Sequence, residues 1–373
     1  MRTNAMIERK HEVINLSLGE PCYEPPEEAR NAAAYVLLRG GNGYLPPGGL
    51  PELRDALAQK LRDRNGIAAT TNQVNVTVGA SLGLSSAIAV LCQPKDGVLI
   101  PDPCFPLYRL MLQTQRLTPL NYLLKENDGY EPDWDSLEAQ AKAARVLIWN
   151  FPSNPLGTVA RQVWLRRLYG LLERYPQLHL ISDEVYEDLL FTGNHCSPAA
   201  TSDNLAERII SIFSFSKGYG MTGWRVGYVH ASDPLAARIT KAHWGAAMSV
   251  STIAQRAAVA ALQAPSTYHE EVHRFLRHNR SVALDGLRKW KLPCSEPEAG
   301  FFVWINVSCC GLDSLTFTER CEEECGVRVC PGSDFSPNST DYIRLCFAVD
   351  TQALTQGIEL LGSWVNDLHR ARK

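Results

Sequence analysis

The sequence lacks long apolar runs and carries little net charge. None of its hydrophobic stretches approaches the roughly 20 residues that a membrane-spanning helix requires. Its 37 lysines and arginines nearly balance its 40 aspartates and glutamates, giving a formal net charge of −3. We therefore expect no nucleic-acid partner and no binding to an anionic membrane surface. The first ten residues contain no apolar signal core, so we expect a cytoplasmic protein.

The sequence also offers no convincing metal site. Its 11 cysteines are an odd number scattered among apolar residues, which is typical of buried thiols in a non-secreted protein. The stretch His269-Glu-Glu-Val-His273 matches a zinc-protease pattern. It lies in a long, charged, helix-like segment away from the strand ends, and a solvated helix face explains it. We predict no bound metal.

Strand-like and helix-like patterns alternate through residues 74–229. Runs such as Val-Leu-Ile-Trp149 and Leu-Ile-Ser182 suit strands that are buried on both faces. Helix-like segments separate most of these runs. The alternation predicts an α/β fold in which a mostly parallel sheet is covered by helices.

The pattern changes after about residue 251, where two long helix-like segments precede a mixture of short strands and helices. This change predicts a second, smaller α+β domain. We predict a large domain over residues 31–255. The small domain combines an N-terminal arm, residues 1–30, with residues 256–373.

One segment carries most of the chemical information: Ser214-Phe-Ser-Lys217-Gly-Tyr-Gly-Met-Thr-Gly-Trp-Arg225. It places Lys217 in a glycine-flanked turn directly after a buried strand. A strongly hydrated ammonium group is seldom placed there for packing. A lysine in such a position can lose its proton and form a Schiff base with an aldehyde cofactor.

Further candidates follow other predicted strands, where ligands bind in open α/β sheets. Ser81, after Gly79-Ala80, either holds a phosphate at a helix N-terminus or only caps that helix. Phe105 either stacks on a planar cofactor or belongs to the core. Asn154 lies in a stretch stiffened by two prolines and a glycine, and it either projects an amide donor or serves only the turn.

Charged residues complete the candidate set. Asp183 ends an apolar strand, where a carboxylate is costly unless it meets a cation such as a protonated pyridine nitrogen. A helix N-cap would also explain it, because Tyr186 is predicted on a first helical turn. Arg225 begins a strand and can add a guanidinium to a phosphate site. Arg344, inside another apolar strand, needs a substrate carboxylate or a structural salt bridge.

In order and spacing, these residues resemble the aspartate aminotransferase family of fold-type-I pyridoxal-phosphate enzymes. The resemblance covers nearly the whole chain. Its most specific part is the stretch Ser216-Lys-x-x-Gly-Met-Thr-Gly-Trp-Arg-x-Gly-Tyr228. Further matching stretches are Leu16-Ser-Leu-Gly-Glu-Pro21, Gly43-Tyr-Leu-Pro-Pro-Gly-Gly49 and Ser182-Asp-Glu-Val-Tyr186.

The resemblance implies pyridoxal 5′-phosphate as cofactor and Lys217, Asp183 and Tyr186 as catalytic residues. Lys217 would form the Schiff base, and Asp183 would pair with the pyridinium nitrogen. Asn154 and Tyr186 would contact the ring oxygen, and Phe105 would stack on the ring. The phosphate would be surrounded by Ala80, Ser81, Ser214, Ser216 and Arg225, joined by Tyr44 of a second subunit. The resemblance also implies a homodimer with active sites shared across its interface.

The resemblance also implies the reaction. Arg344, the Gly19 amide and Asn154 would hold the substrate α-carboxylate, and the amino group of an L-amino acid would pass to a 2-oxo acid in a ping-pong mechanism. The alternative is a lyase or cyclase that uses the same cofactor, for example one that cyclises a hydroxylated arginine.

Departures from the family pattern leave the recognised side chain open. Relatives often read Gly-Glu-Pro-Asp-Phe where this chain has Cys22 and Tyr23, and many read Asn-Asn-Pro-Thr-Gly where it has Ser153-Asn-Pro-Leu-Gly157. The stretch at residues 243–248, predicted as a loop, matches no known specificity. Its His243 and Trp244 are candidate pocket residues by position.

Overall fold

The strands follow the apolar runs of the sequence closely. The structure is a computed structural model that describes residues 13–200 and 203–371. Strands β1 to β13 lie at Ile14–Asn15, Val74–Val78, Gly97–Asp102, Thr118–Lys125, Glu131–Pro132, Ala144–Asn150, His179–Asp183, Ile209–Ser214, Val226–His230, Phe302–Asn306, Val327–Arg328, Cys330–Pro331 and Tyr342–Cys346. Helices α1 to α11 lie at Glu27–Arg39, Pro51–Asn65, Gly79–Leu91, Pro106–Thr114, Trp134–Ala141, Gln162–Arg174, Asp233–Ala247, Thr252–Leu262, Ser266–Lys289, Ser314–Cys325 and Thr351–Ala371.

The chain forms two units. The larger unit comprises the described residues of Glu20–Arg277 and Pro297–Phe301, and the smaller comprises the described residues of Met1–Gly19, His278–Glu296 and Phe302–Lys373. Residues 20–30, 256–277 and 297–301 lie in the larger unit, whereas the sequence pattern predicts them in the small domain.

The larger unit contains an eight-stranded sheet in the order β2-β9-β8-β7-β6-β3-β4-β5. Its central strands β8, β7, β6, β3 and β4 are parallel to their neighbours within that group. Only the margins are antiparallel, where β9 pairs with β2 and β8 and where β5 pairs with β4. This arrangement confirms the predicted α/β fold with a mostly parallel sheet.

Apolar clusters cover both faces of this sheet. One cluster joins helices α3, α4 and α7 to Ile148, Ile181 and Ile212 of the central strands. The other joins α1, α2 and α8 to residues such as Phe213 and Tyr228. Because the parallel strands are held in register, Asn150 of β6 lies opposite Asp183 of β7. Polar residues at the carboxyl ends of neighbouring strands are thereby brought to one edge.

Three local predictions are wrong. A turn at residues 185–188 follows β7, so Tyr186 does not lie on a helix and Asp183 is not a helix cap. The stretch predicted as a loop at 243–248 mostly belongs to α7, which continues through Ala247. Arg225 also precedes β9 rather than beginning it, and it has a left-handed backbone with a φ of +54°.

The smaller unit has a three-stranded antiparallel sheet in the order β10-β13-β12 and a parallel pair formed by β1 and β11. Arg344 lies on the central strand β13, opposite Trp304 of β10 and Cys330 of β12. Across the described part of both units, no helix is both long enough and apolar enough to span a bilayer.

Candidate active site

Asp183 lies at the centre of the predicted site, at the carboxyl end of β7, and its side chain is only 6% exposed. Its Oδ2 accepts a hydrogen bond of 2.6 Å from the hydroxyl of Tyr108 on α4. Its Oδ1 is buried and has no hydrogen-bond partner among the described residues. Burial raises the pKa of Asp183 to about 6, although the Tyr108 hydrogen bond and the nearby backbone amide of Val185 lower it. The arrangement suits a cationic hydrogen-bond donor at Oδ1.

Lys217 lies in the turn that follows β8. Its Nζ lies 5.8 Å from the centre of the Phe301 ring, which packs edge-on against buried Tyr186 with the ring centres 5.6 Å apart. The positive charge of Lys217 lowers the pKa of Asp183. The amine is therefore close enough to the carboxylate for its charge to stabilise the ionised form of Asp183.

The turn between β2 and α3 lies against Arg225. Helix α3 begins at Gly79, so the amides of Gly79, Ala80 and Ser81 are at its positive end. Gly79 has a φ of +65°, and a Cβ there would lie 2.4 Å from Nη2 of Arg225. A Cβ on Gly227 would lie 2.7 Å from the Ala80 amide nitrogen. Glycine thus allows a guanidinium and helix amides to approach closely and form one surface of the kind that suits an anion.

Two serines are linked to this surface by hydrogen bonds. The Ser214 hydroxyl accepts a bond of 3.0 Å from the amide of Ser216. The Thr222 hydroxyl donates to the Ser216 carbonyl at 2.9 Å, and Arg225 Nη1 donates to the Thr222 carbonyl at 2.9 Å. These bonds organise one continuous segment around the position predicted for the phosphate.

His243 supports the same turn from α7. Its Nε2 accepts a hydrogen bond of 3.0 Å from the amide of Val78, the residue before Gly79. The imidazole is 1% exposed, and burial lowers its pKa, which favours the neutral form that can accept this bond. The structure therefore gives His243 a supporting contact at the turn, while Trp244 remains 47% exposed.

The loop that carries Asn154 is fixed by its own hydrogen bonds. The amide of Asn154 donates to Asn150 Oδ1 at 3.1 Å, and the Gly157 amide donates to the Ser153 carbonyl at 2.9 Å. Asn150 Nδ2 in turn donates to the Asp183 carbonyl at 3.2 Å. Asn154 is thus held beside the end of β7, as a positioned amide requires.

Phe105 lies next to the Asp183 partner. Its half-buried ring meets the Tyr108 ring edge-on, with the ring centres 5.7 Å apart. Tyr44 belongs to the same unit and is 83% exposed.

Arg344 and Gly19 lie together in the smaller unit. Arg344 is 6% exposed, and its Nη2 donates to the Ser17 carbonyl at 2.8 Å. Its guanidinium lies over the Phe302 ring at 4.0 Å, and a Cβ on Gly19 would lie 3.9 Å from Nη2. Aromatic packing leaves the planar fork in a defined orientation, as bidentate binding of a carboxylate needs.

The comparisons with known proteins agree with this geometry. A family profile described as aminotransferase class I and II matches residues 11–361. The chain belongs to the class I and II aminotransferase family. The aspartate aminotransferase of Thermotoga maritima is 31% identical over 98% of this chain and 94% of its own length. The aspartate/prephenate aminotransferase of Thermus thermophilus is 31% identical over 93% of this chain and 90% of its own length.

Solved structures of aminotransferases share the fold. The aromatic aminotransferase of Pyrococcus horikoshii superimposes with a TM-score of 0.91 at 30% identity. The match covers 95% of this chain and 96% of that one. The predicted family and fold are therefore confirmed.

Aminotransferases of this family use pyridoxal 5′-phosphate, so the predicted cofactor is confirmed as well. The names of the relatives support an aminotransferase and do not favour the lyase or cyclase alternative. The side chains fit the cofactor: Asp183 Oδ1 suits a pyridinium N–H, and the surface of Gly79 and Arg225 suits a phosphate. Lys217 has the primary amine that a Schiff base with the cofactor aldehyde needs.

Two aromatic residues of this aminotransferase site were not predicted. Tyr108 lies one helical turn beyond Phe105. A buried tyrosine needs a hydrogen-bond partner for its hydroxyl, and this requirement could have identified Tyr108 from the sequence. Phe301 comes from Pro297–Phe301, which joins the larger unit although it is distant in sequence. No local sequence pattern predicts its contact with Lys217.

Proposed function

We propose that this aminotransferase passes the amino group of an L-amino acid to a 2-oxo acid by a ping-pong mechanism at the site around Lys217 and Asp183. The observation that carries the proposal is the buried Asp183 carboxylate, with one oxygen bonded to Tyr108 and the other suited to a cationic donor. When bound, the cofactor supplies an electron sink for the charge that develops at the substrate α-carbon.

The protein side chains have distinct parts in this reaction. The Asp183 carboxylate keeps a proton on the ring nitrogen by electrostatic attraction in a buried site. The Lys217 Nζ removes the proton from the substrate α-carbon. Tyr186 and Phe301 are buried beside the amine and limit the access of water to it. Asn154 and Tyr186 hold the ring oxygen, Phe105 covers the ring, and the phosphate is held by Ala80, Ser81, Ser214, Ser216 and Arg225.

Recognition of the substrate begins with its α-carboxylate. We assign this role to Arg344, the Gly19 amide and Asn154, because the oriented guanidinium matches a carboxylate in two-point contact. Relatives are named for aspartate and for aromatic amino acids. We propose that the substrate belongs to one of these two classes.

The test separates transamination from elimination. Cofactor-loaded enzyme is mixed separately with L-aspartate, L-glutamate, L-phenylalanine and L-tyrosine, and the absorbance of the cofactor is followed. We expect one stoichiometric conversion to the amine form, with further turnover only after a 2-oxo acid is added. Lys217→Ala should abolish the conversion, and Lys241→Ala, on the exposed face of α7, should leave it intact. Continuous release of product from the amino acid alone, without an added 2-oxo acid, would contradict the proposal.

We also propose a homodimer in which Tyr44 reaches the phosphate of the partner subunit. Helix α1 and the segment after it expose Tyr35, Leu37, Leu38 and Tyr44 by 65%, 64%, 86% and 83%. Adjacent apolar side chains exposed to this degree are typical of a protein interface. Light scattering should give a dimer, and Leu38→Glu should give a less active monomer. A fully active wild-type monomer would contradict the proposal. The cytoplasmic location stays a prediction.

A further inference from the structure

The side chain of Tyr23 is hydrogen-bonded to the backbone of the catalytic lysine. Its hydroxyl donates to the Lys217 carbonyl at 2.6 Å. The bond that closes the lysine turn itself, from the Gly220 amide to the same carbonyl, is longer at 3.3 Å. The shorter and stronger contact on this carbonyl therefore comes from Tyr23 rather than from the turn.

The backbone and the ring of Tyr23 also pack on this turn. Gly220 has a φ of +63°, and a Cβ there would lie 2.7 Å from the Tyr23 carbonyl oxygen and 3.2 Å from its ring. On its other side the Tyr23 ring meets Phe275 of α9 edge-on, with the ring centres 6.2 Å apart. Tyr23 is thus fixed between α9 and residues 217–220, which suits it to hold the turn in place.

The hydroxyl of Tyr23 can be separated from its ring by chemistry. Phenylalanine fills similar space but cannot donate the hydrogen bond to the Lys217 carbonyl. Packing alone is therefore compatible with either residue, whereas the bond to Lys217 requires tyrosine.

We propose that Tyr23 is a positioning residue whose hydroxyl sets the orientation of Lys217. With the Lys217 carbonyl held, the backbone from which the side chain extends is fixed, and so is the approach of Nζ to the substrate α-carbon. A misplacement of about 1 Å can slow such a transfer roughly 100-fold. The inference rests on the proposed role of Lys217 as the base.

The test compares two tyrosine hydroxyls with similar chemistry. Tyr169 also donates to a backbone carbonyl, that of Pro198 at 2.9 Å, but it lies on α6. Tyr23→Phe should lower kcat about 5-fold or more with little change in KM, because only the geometry of proton transfer changes. The pH midpoint of the visible absorbance of bound cofactor should move, since that absorbance reports the Lys217 linkage. Tyr169→Phe should change neither value.

Tyr23→Leu separates the hydroxyl from the ring, because it removes both. If Tyr23→Phe matches the wild type and only Tyr23→Leu loses activity, ring packing is responsible and the inference is overturned. Identical kinetics and absorbance midpoints in Tyr23→Phe and Tyr169→Phe also overturn it, and they leave the proposed transamination untouched. If the wild type instead fails to transaminate, the proposed function fails, and the absorbance midpoint of Tyr23→Phe still tests the contact.

Discussion

The hydroxyl of Tyr108 lies 2.6 Å from Oδ2 of Asp183, and both side chains are buried. Burial raises the pKa of both groups, that of Asp183 to about 6 and that of Tyr108 well above its ordinary range. The hydrogen bond opposes this effect at Asp183, because it stabilises the carboxylate. Tyr108 therefore helps to keep Asp183 ionised at neutral pH.

Tyr108→Phe should make the activity more dependent on pH. Without the hydroxyl, the pKa of Asp183 rises further above about 6, so a smaller fraction is ionised near neutrality. We expect kcat to fall roughly 10-fold at pH 6.5 and clearly less at pH 8.5, as for the loss of one hydrogen bond to a charged group. A pH–rate profile checks this. An equal loss at every pH would show that the hydroxyl acts through packing instead.

Asp183→Asn should stabilise the cofactor-free protein at alkaline pH. The folded pKa of about 6 exceeds the ordinary value of 3.8, so the folded state binds more protons between these values. Stability from this group is therefore present at low pH and lost as the pH rises through about 6. The difference corresponds to about 3 kcal/mol at most.

Urea unfolding of the cofactor-free wild type and Asp183→Asn tests this at two pH values. At pH 8 the variant should be the more stable, and at pH 4 the gap should shrink or disappear. A variant that is destabilised equally at both pH values would mean that the carboxylate is not costly in the fold. Its activity with cofactor should be low in either case.

The sequence was most informative where burial is complete. The apolar runs that end at Trp149 and Ser182 form the centres of strands Ala144–Asn150 and His179–Asp183, because strands buried on both faces admit few polar residues. Helix α2 was not predicted, because its many charged residues obscure its apolar face. Pro51 at its start and Gly66 at its end are typical of helix boundaries and could have indicated it.

The site was predictable where the chemistry follows the strand ends, and it was not where partners are distant in sequence. Asp183 and Lys217 are recognisable as a carboxylate and an amine in costly positions. The contact of Tyr108 with Asp183 joins residues that are 75 positions apart. The hydrogen bond from Val78 to His243 joins residues that are 165 positions apart in the sequence. Only the three-dimensional structure shows that this histidine supports the turn.

His243→Leu should weaken cofactor binding and remove part of its pH dependence. The substitution leaves the Val78 amide without its acceptor, at a cost of about 1–3 kcal/mol, next to the turn that we propose holds the phosphate. Burial lowers the pKa of His243 below 6.5, so its support is present above that pH and is lost as the pH falls through the folded pKa.

Equilibrium dialysis of pyridoxal 5′-phosphate at several pH values measures the effect of His243. The wild type should bind more weakly at pH 5 than at pH 7.5. His243→Leu should bind several-fold more weakly at pH 7.5 and depend less on pH below 6.5. His278→Leu, on the exposed surface, is the control. Unchanged affinity in His243→Leu would contradict the supporting role.

Gly79→Ala should weaken cofactor binding by displacing Arg225. The added Cβ would lie 2.4 Å from Nη2 of Arg225, and the φ of +65° is strained for alanine. We expect the Kd for pyridoxal 5′-phosphate to rise about 10-fold or more, as for the loss of one charged contact. Gly223→Ala is the matched control, because a Cβ there meets nothing within 4 Å. In an Arg225→Ala background, Gly79→Ala should raise the Kd much less, because the guanidinium that it displaces is already absent. Fully additive losses would instead place the damage in the helix amides of Ala80 and Ser81.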